Sequence, residues 1–304
     1  MGKSVIIYTY YNSESSNINL NFFCKNELVY HPDIDYIIVI NGYTFPDDIV
    51  FPDITNLKII KRENIGFDYG GHNNALESIP INKQYDYYFF MNSGVIGPIL
   101  PFYFQKEHWS SIFIDKINDK VKLVGTTIVC LPHQDLGGFG PKVEGFFFMT
   151  DKIGLKLLKN EKTIFCNHKD KVDAIINGEY GMSKCILKNG YSIDCMLSRY
   201  KYIDWKDINN YNANNNIHPS RKNSFYGESI NPYEVIFHKW YWHGCEPVNI
   251  DIIRSYMNKN KNIFDYKYYI KNNIDLANFN NKQAFDHWID FGSKEGRKCS
   301  RYLL

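Results

Sequence analysis

The chain has 304 residues, of which 44% are hydrophobic and 22% charged, with a net charge of +2. That is the profile of a soluble globular protein with one large domain, alone or with a small appendage. The near-neutral balance gives no sign of the basic stripe of a nucleic-acid binder, and no apolar run is long enough to span a bilayer. Seven cysteines (Cys24, Cys130, Cys166, Cys185, Cys195, Cys245 and Cys299) are dispersed without a C-x-x-C pair, which points to free thiols in a reducing compartment rather than to disulfides or a zinc site.

The N-terminus runs straight into an apolar strand, Ser4–Tyr8, with no signal peptide ahead of it. Ile6 stands where an acylation signal needs Ser or Thr, so the expectation is a cytoplasmic, unanchored protein. A polar loop from Thr9 and a helix over 14–30 follow. A second strand, Asp35–Ile40, stops at Asn41-Gly42, and a third, Leu57–Ile60, stops before Asn64-Ile65-Gly66. A helix is expected from Gly71 to Ser78, then a fourth strand, Asp86–Met91, ending at Asn92-Ser93-Gly94. Continuous apolar strands alternating with helical stretches predict an α/β fold with a mainly parallel sheet covered on both faces.

Further along, Val121–Val124 reads as a strand, and residues 131–142 as a loop rich in Gly, His and Pro. In the segment Val143–Met149, Glu144 lies just before an apolar strand; a helix over 150–159 follows, and Gly181–Lys188 reads as a helix stopped by Asn189-Gly190. Residues 208–216 are Asn-rich and read as a mobile surface loop. An apolar strand over 233–237 leads to His238-Lys239 and an aromatic patch, Trp240 to Gly244. The texture changes near Asn262. Two short amphipathic helices, 264–276 and 283–292, then form a unit expected to be too small for a core of its own. The expected domains are therefore 1–250 and 262–304.

The chemistry concentrates in two segments. Asn64-Ile65-Gly66-Phe67-Asp68 and Asn92-Ser93-Gly94-Val95-Ile96-Gly97-Pro98 each lie where an apolar strand gives way to a Gly/Asn turn. In open α/β sheets ligands bind at the carboxyl ends of the strands, so the pair predicts a crevice for a polar, phosphorylated small molecule. Thr9, Asn41, Asn64, Asp68, Asn92 and Ser93 would line it with hydrogen-bonding groups. The sequence holds no G-x-S-x-G elbow, H-E-x-x-H or G-x-x-x-x-G-K-[ST] loop, and no G-x-G-x-x-G follows the first strand.

This order of strands and turn residues resembles GT-A glycosyltransferases. Asn64 to Asp68 and Phe90 to Pro98 together resemble the rhamnan-synthesis-type and related family-2-like transferases of bacteria, fungi and large DNA viruses, over roughly residues 4–245. The resemblance implies a GT-A-like Rossmann-type sheet, a nucleotide-sugar donor (UDP-type favoured) and a glycan or glycoprotein acceptor. It places the base near Thr9 and Asn41, and the ribose and diphosphate near Asp68 and Asn92, with Asn64 and Ser93 beside them. Most such enzymes carry an Asp-x-Asp pair holding Mn²⁺ or Mg²⁺, because hard cations want carboxylate oxygens. Here that position reads Met91-Asn92-Ser93-Gly94. Two alternatives follow: a metal held through Asn92 with help from His238, or a diphosphate met by Lys239 and backbone N–H groups. The segment Gly178-Glu179-Tyr180-Gly181-Met182-Ser183 resembles the region of the catalytic carboxylate, which makes Glu179 the expected base of an inverting transfer, opening a helix. Glu144 is its competitor. The C-terminal pattern from Asp265 to Arg297 is similar to small helical modules of glycan-assembly proteins. A non-catalytic nucleotide- or glycan-binding module on a degenerate GT-A fold is the rival reading.

Overall fold

The computed structural model describes residues 2–101, 104, 108–292 and 294–299, with backbone alone for 257–263. The chain divides into two compact units: Met1–Pro98 with Trp109–Val248, and Ile99–His108 with Asn249–Leu304. The second unit thus starts ahead of the texture change near Asn262 and takes in the stretch after Pro98. No helix among the described residues is long and apolar enough to cross a membrane.

The first unit is built on a 7-stranded sheet. Its strands are β1 (Ser4–Tyr11), β2 (Ile34–Asn41), β3 (Leu57–Arg62), β4 (Tyr87–Asn92), β5 (Val121–Gly125), β8 (Phe147–Asp151) and β9 (Ser192–Cys195). The order is β3-β2-β1-β4-β8-β5-β9. β8 pairs antiparallel with both neighbours, while the other pairings are parallel. A two-stranded antiparallel ribbon joins β6 (Ile128–Leu131) to β7 (Gly140–Val143). The central strands β1, β2 and β8 are buried along almost their whole length, as strands covered on both faces must be. The edge strand β3 has no fully buried residue. The expected α/β architecture with its mostly parallel sheet is therefore present.

Chain order reverses at β1, which lies between β2 and β4. The crevice beyond the carboxyl ends of these strands is the topological switch point, where ligands bind in open α/β sheets. Helix α1 (Glu14–Asn26), capped by Ser13, follows β1. Helix α2 (Phe67–Glu77) follows β3 and starts ahead of the expected Gly71. Gly66 makes this possible. At φ 75° it turns the chain in a conformation L-residues rarely adopt, and a Cβ there would lie 2.4 Å from Asn167 Cα. Asp68 consequently stands in the first helical turn.

Beyond the short α3 (Ser110–Ile114), several expectations are corrected. Glu144 does lie ahead of an apolar strand: β7 ends at Val143, β8 begins at Phe147, and Glu144 falls on the turn between them. Helix α4 (Lys152–Asn160) is capped by Asp151. The helix expected to open near Gly181 is the end of a longer helical run. That run comprises α5 (Lys171–Asp173), a π-helical stretch (Ala174–Tyr180) and α6 (Gly181–Lys188). Glu179 is therefore mid-helix, and the favourable N-terminal dipole expected for it does not apply. The Asn-rich stretch is tied down by Asn214, which is buried and bonds Cys130 N and Ile128 O at 2.8 Å each along β6. The expected strand over 233–237 is instead a short helix, α7 (Pro232–Val235), because Asn231 caps it and Pro232 occupies its first turn.

The second unit carries α8 (Ile250–Ile263), α9 (Tyr266–Asn272), α10 (Asn281–His287) and a π-helical turn, Trp288–Gly292. Contrary to the expectation from its size, it has its own apolar cluster of Tyr269, Leu276, Ala284, Trp288 and Cys299.

Candidate active site

A cleft of about 560 Å³ opens in the first unit where α2 and β4 meet the turn after β7, the helical run 171–188 and residues 218–243. Its lining includes three carboxylates, Asp68, Glu144 and Glu179, and four cationic side chains, Lys142, Lys171, Arg221 and Lys239.

On the sheet side, Asn92 Nδ2 donates to Asp68 Oδ2 at 2.7 Å, and Asn92 Oδ1 accepts from Gly94 N at 2.9 Å. Burial pushes the Asp68 carboxyl up, while the Asn92 hydrogen bond and the Lys239 and Lys171 charges pull the other way. On the opposite side, Lys142 Nζ lies 3.3 Å from Glu144 Oε2 and also binds Glu179 Oε1. His218 Nδ1 approaches Glu144 Oε1 at 3.6 Å, just beyond hydrogen-bond reach. Lys142 and Glu144 are two residues apart at the end of a strand, so they face the same way.

The two glutamates are driven apart. Burial acts to raise both. At Glu144 the Lys142 ammonium and His218 outweigh it and bring the carboxyl down to about 2. At Glu179 burial, helped by the like charge of Glu144, outweighs Lys142 and holds the carboxyl above its ordinary range. Gly145 permits this packing: a Cβ there would lie 2.7 Å from Tyr69 Oη and 2.9 Å from Glu179 Cγ. Beside them Lys239 Nζ stands 4.7 Å from the Trp242 ring centroid and 5.5 Å from that of Phe146. Arg221 Cζ lies 5.3 Å from the Trp242 centroid. Burial lowers the Lys239 ammonium's affinity for its proton, against Glu144, Asp68 and Glu179.

Of the residues expected from sequence, the structure brings Asp68, Asn92, Lys239, Glu144 and Glu179 together at this cleft. The others are elsewhere. Thr9 is fully buried, with Oγ1 2.9 Å from His72 Nδ1, and burial drives that imidazole down to about 3. Asn41 is buried, accepting from Arg62 at 3.1 Å. Ser93 is buried against Ser16 at 3.1 Å. These three are engaged with neighbours at the strand ends. Asn64 is exposed but outside the cleft lining. Within the aromatic patch, Trp240 Nε1 donates to Asn19 at 2.9 Å in the core, whereas Trp242 lines the cleft.

The pairing of Asn92 with His238 around a metal is likewise corrected. His238 is buried, pushed down to about 4 by burial, and absent from the cleft lining. No group of three or more His, Cys, Asp or Glu among the described residues could hold a metal ion. Asn92 is neutral and its amide oxygen takes the Gly94 N–H, and Lys142 already pairs with Glu144 and Glu179. The donor set does not fit a resident divalent cation.

Lys142, Lys171, Tyr180, His218 and Arg221 were missed in the sequence. The Lys142-Val143-Glu144 alternation was a usable signal. His218 and Arg221 carry none.

No protein-family model matches the chain, and no curated protein matches its sequence. Among solved structures, the chain is similar to the mannosyltransferase PcManGT from Pyrobaculum calidifontis in complex with GDP-Man and Mn²⁺. That match has a TM-score of 0.40 and 10% identity, covering 96% of this chain and 84% of the other. The glycosyltransferase GlyE from Streptococcus pneumoniae gives 0.41 and 10%, covering 100% of this chain and 67% of the other. S. aureus TarS in complex with UDP-GlcNAc gives 0.36 and 18%, covering 63% of this chain and 55% of the other.

Proposed function

We propose that the protein is a nucleotide-sugar-dependent glycosyltransferase of the GT-A, rhamnan-synthesis type, acting on a glycan or glycoprotein acceptor by inversion. The observation that carries this reading is the pair of buried glutamates sharing Lys142, Glu144 pulled below and Glu179 pushed above the ordinary carboxylate value, in a cleft that also holds Asp68 and the cations Lys171, Arg221 and Lys239. Environments that separate two carboxylates in this way assign them different roles. The carboxylate with the raised value is the better base, so Glu179 takes the acceptor hydroxyl proton. Glu144 stays ionised and positions Lys142 and His218. The acceptor oxygen attacks the anomeric carbon, the bond from that carbon to the diphosphate oxygen breaks, and the nucleoside diphosphate leaves with the electron pair.

Diphosphate charge falls to Lys239, Arg221 and Lys171 rather than to a metal, and Asp68 with Asn92 supports the ribose. Trp242, between Lys239 and Arg221, offers a face to the base or sugar. Both sequence segments that carry the family resemblance feed this cleft, through Asp68 and through Asn92 and Gly94. The test is a thermal-shift screen of UDP-, GDP-, dTDP- and CMP-sugars with Mn²⁺ or with EDTA. A ligand that binds only the folded state raises the midpoint, so one nucleotide class should stabilise the protein equally in both. The lack of a shift from every nucleotide sinks the reading.

A further inference from the structure

A second cavity of about 330 Å³ lies behind the wall of the cleft, within the range of about 300–1,000 Å³ that small-molecule sites occupy. Lys142 and Tyr180 line both spaces and form the partition between them. The Lys142 ammonium is 4.5 Å from the Tyr180 ring centroid and reaches Glu144 and Glu179. On the far side, Lys184 and Lys188 project from α6 one turn apart, on the same helical face. Both are exposed, and neither makes an ion pair among the described residues. The lining holds three lysines and no carboxylate.

Two like charges a helical turn apart repel, and an anion between them reverses that. The cavity also presents aromatic rings. Phe139 is stacked at 3.7 Å on His133, and its centroid lies 5.8 Å from that of Tyr211. Rings that take the apolar face of a sugar, beside cations that take an anion, select a sugar carrying negative charge. We propose that this cavity binds a sugar bearing a phosphate or carboxylate substituent.

The test is calorimetric titration of the full chain with glucose 6-phosphate, glucuronic acid, glucose and inorganic phosphate, repeated on the K184Q/K188Q variant. The nucleotide that stabilises the protein is titrated alongside. At least one anionic sugar should bind about tenfold tighter than glucose, and the variant should lose that preference with nucleotide affinity unchanged. Whether the phosphate or the carboxylate sugar binds tighter identifies the substituent. Equal affinity for glucose and both anionic sugars overturns the proposal. So does a preference that survives in the variant, or inorganic phosphate binding as tightly as the sugar phosphate. Lysine-dependent binding of an anionic sugar without binding of any nucleotide leaves an anionic-sugar site standing and removes the transferase reading.

Discussion

The wall of the cleft built from the first four strands and the wall built from residues 142–242 use their polar groups differently. On the first, hydroxyls and amides are plentiful but mostly committed: Thr9 to His72, Asn41 to Arg62, Ser93 to Ser16. Asp68 is the one charged group that reaches the cleft from the strand ends and the start of α2, beside Phe67, Tyr69, Asn92 and Gly94. The second wall supplies Glu144, Glu179, Lys142, Arg221 and Lys239, drawn from a strand turn, a π-helical stretch and two loops. The lesson is that a conspicuous motif here builds the platform, whereas the charge for chemistry comes from less conspicuous segments. Loops and irregular helix can be buried at such a site because their polar groups are paired with each other or await a ligand.

The sharpest way to break that contrast is Glu179→Gln. Loss of a general base should lower turnover by about 10²–10⁴-fold, while nucleotide affinity measured by calorimetry stays as it was. Lys239→Gln should follow, with donor affinity falling roughly tenfold or more, as expected when a charge-assisted contact to phosphate is lost. Arg221→Gln should show a smaller loss in the same titration.

The pH dependence sharpens the comparison between the glutamates. A base must be deprotonated, so kcat/KM should rise with pH through a value above the ordinary carboxylate range, and Glu179→Gln should erase that limb. Glu144 behaves in the opposite sense. Its folded value, about 2, lies below its ordinary 4.5. It therefore adds stability above about pH 4.5 that is lost as pH falls towards 2. Acid unfolding of Glu144→Gln should lack that portion of the transition. The smallest effect belongs to the first wall. Thr9→Val removes a buried hydrogen bond and should cost about 1 kcal/mol in denaturant unfolding, with donor affinity unchanged.

Much of the fold was legible because burial on both faces writes itself into continuous apolar runs, as in β1, β2 and β4. The misplaced elements share a cause: a local signal was outweighed by packing. Gly70-Gly71 looked like a helix start, yet the left-handed Gly66 sets it earlier. Of the site, Asp68, Asn92, Glu144 and Lys239 were readable as polar or charged residues at the ends of apolar segments, and Glu179 through the family resemblance of residues 178–183. Lys171, His218 and Arg221 were not, since distant contacts rather than local pattern bring them to the cleft.

The most direct test of the account is release of nucleoside diphosphate from the stabilising sugar nucleotide, measured in EDTA for the native chain and for Glu179→Gln. The account predicts metal-independent turnover by the native protein that the variant loses. Turnover by the variant at the native rate, or turnover abolished by EDTA and restored by Mn²⁺, would contradict it.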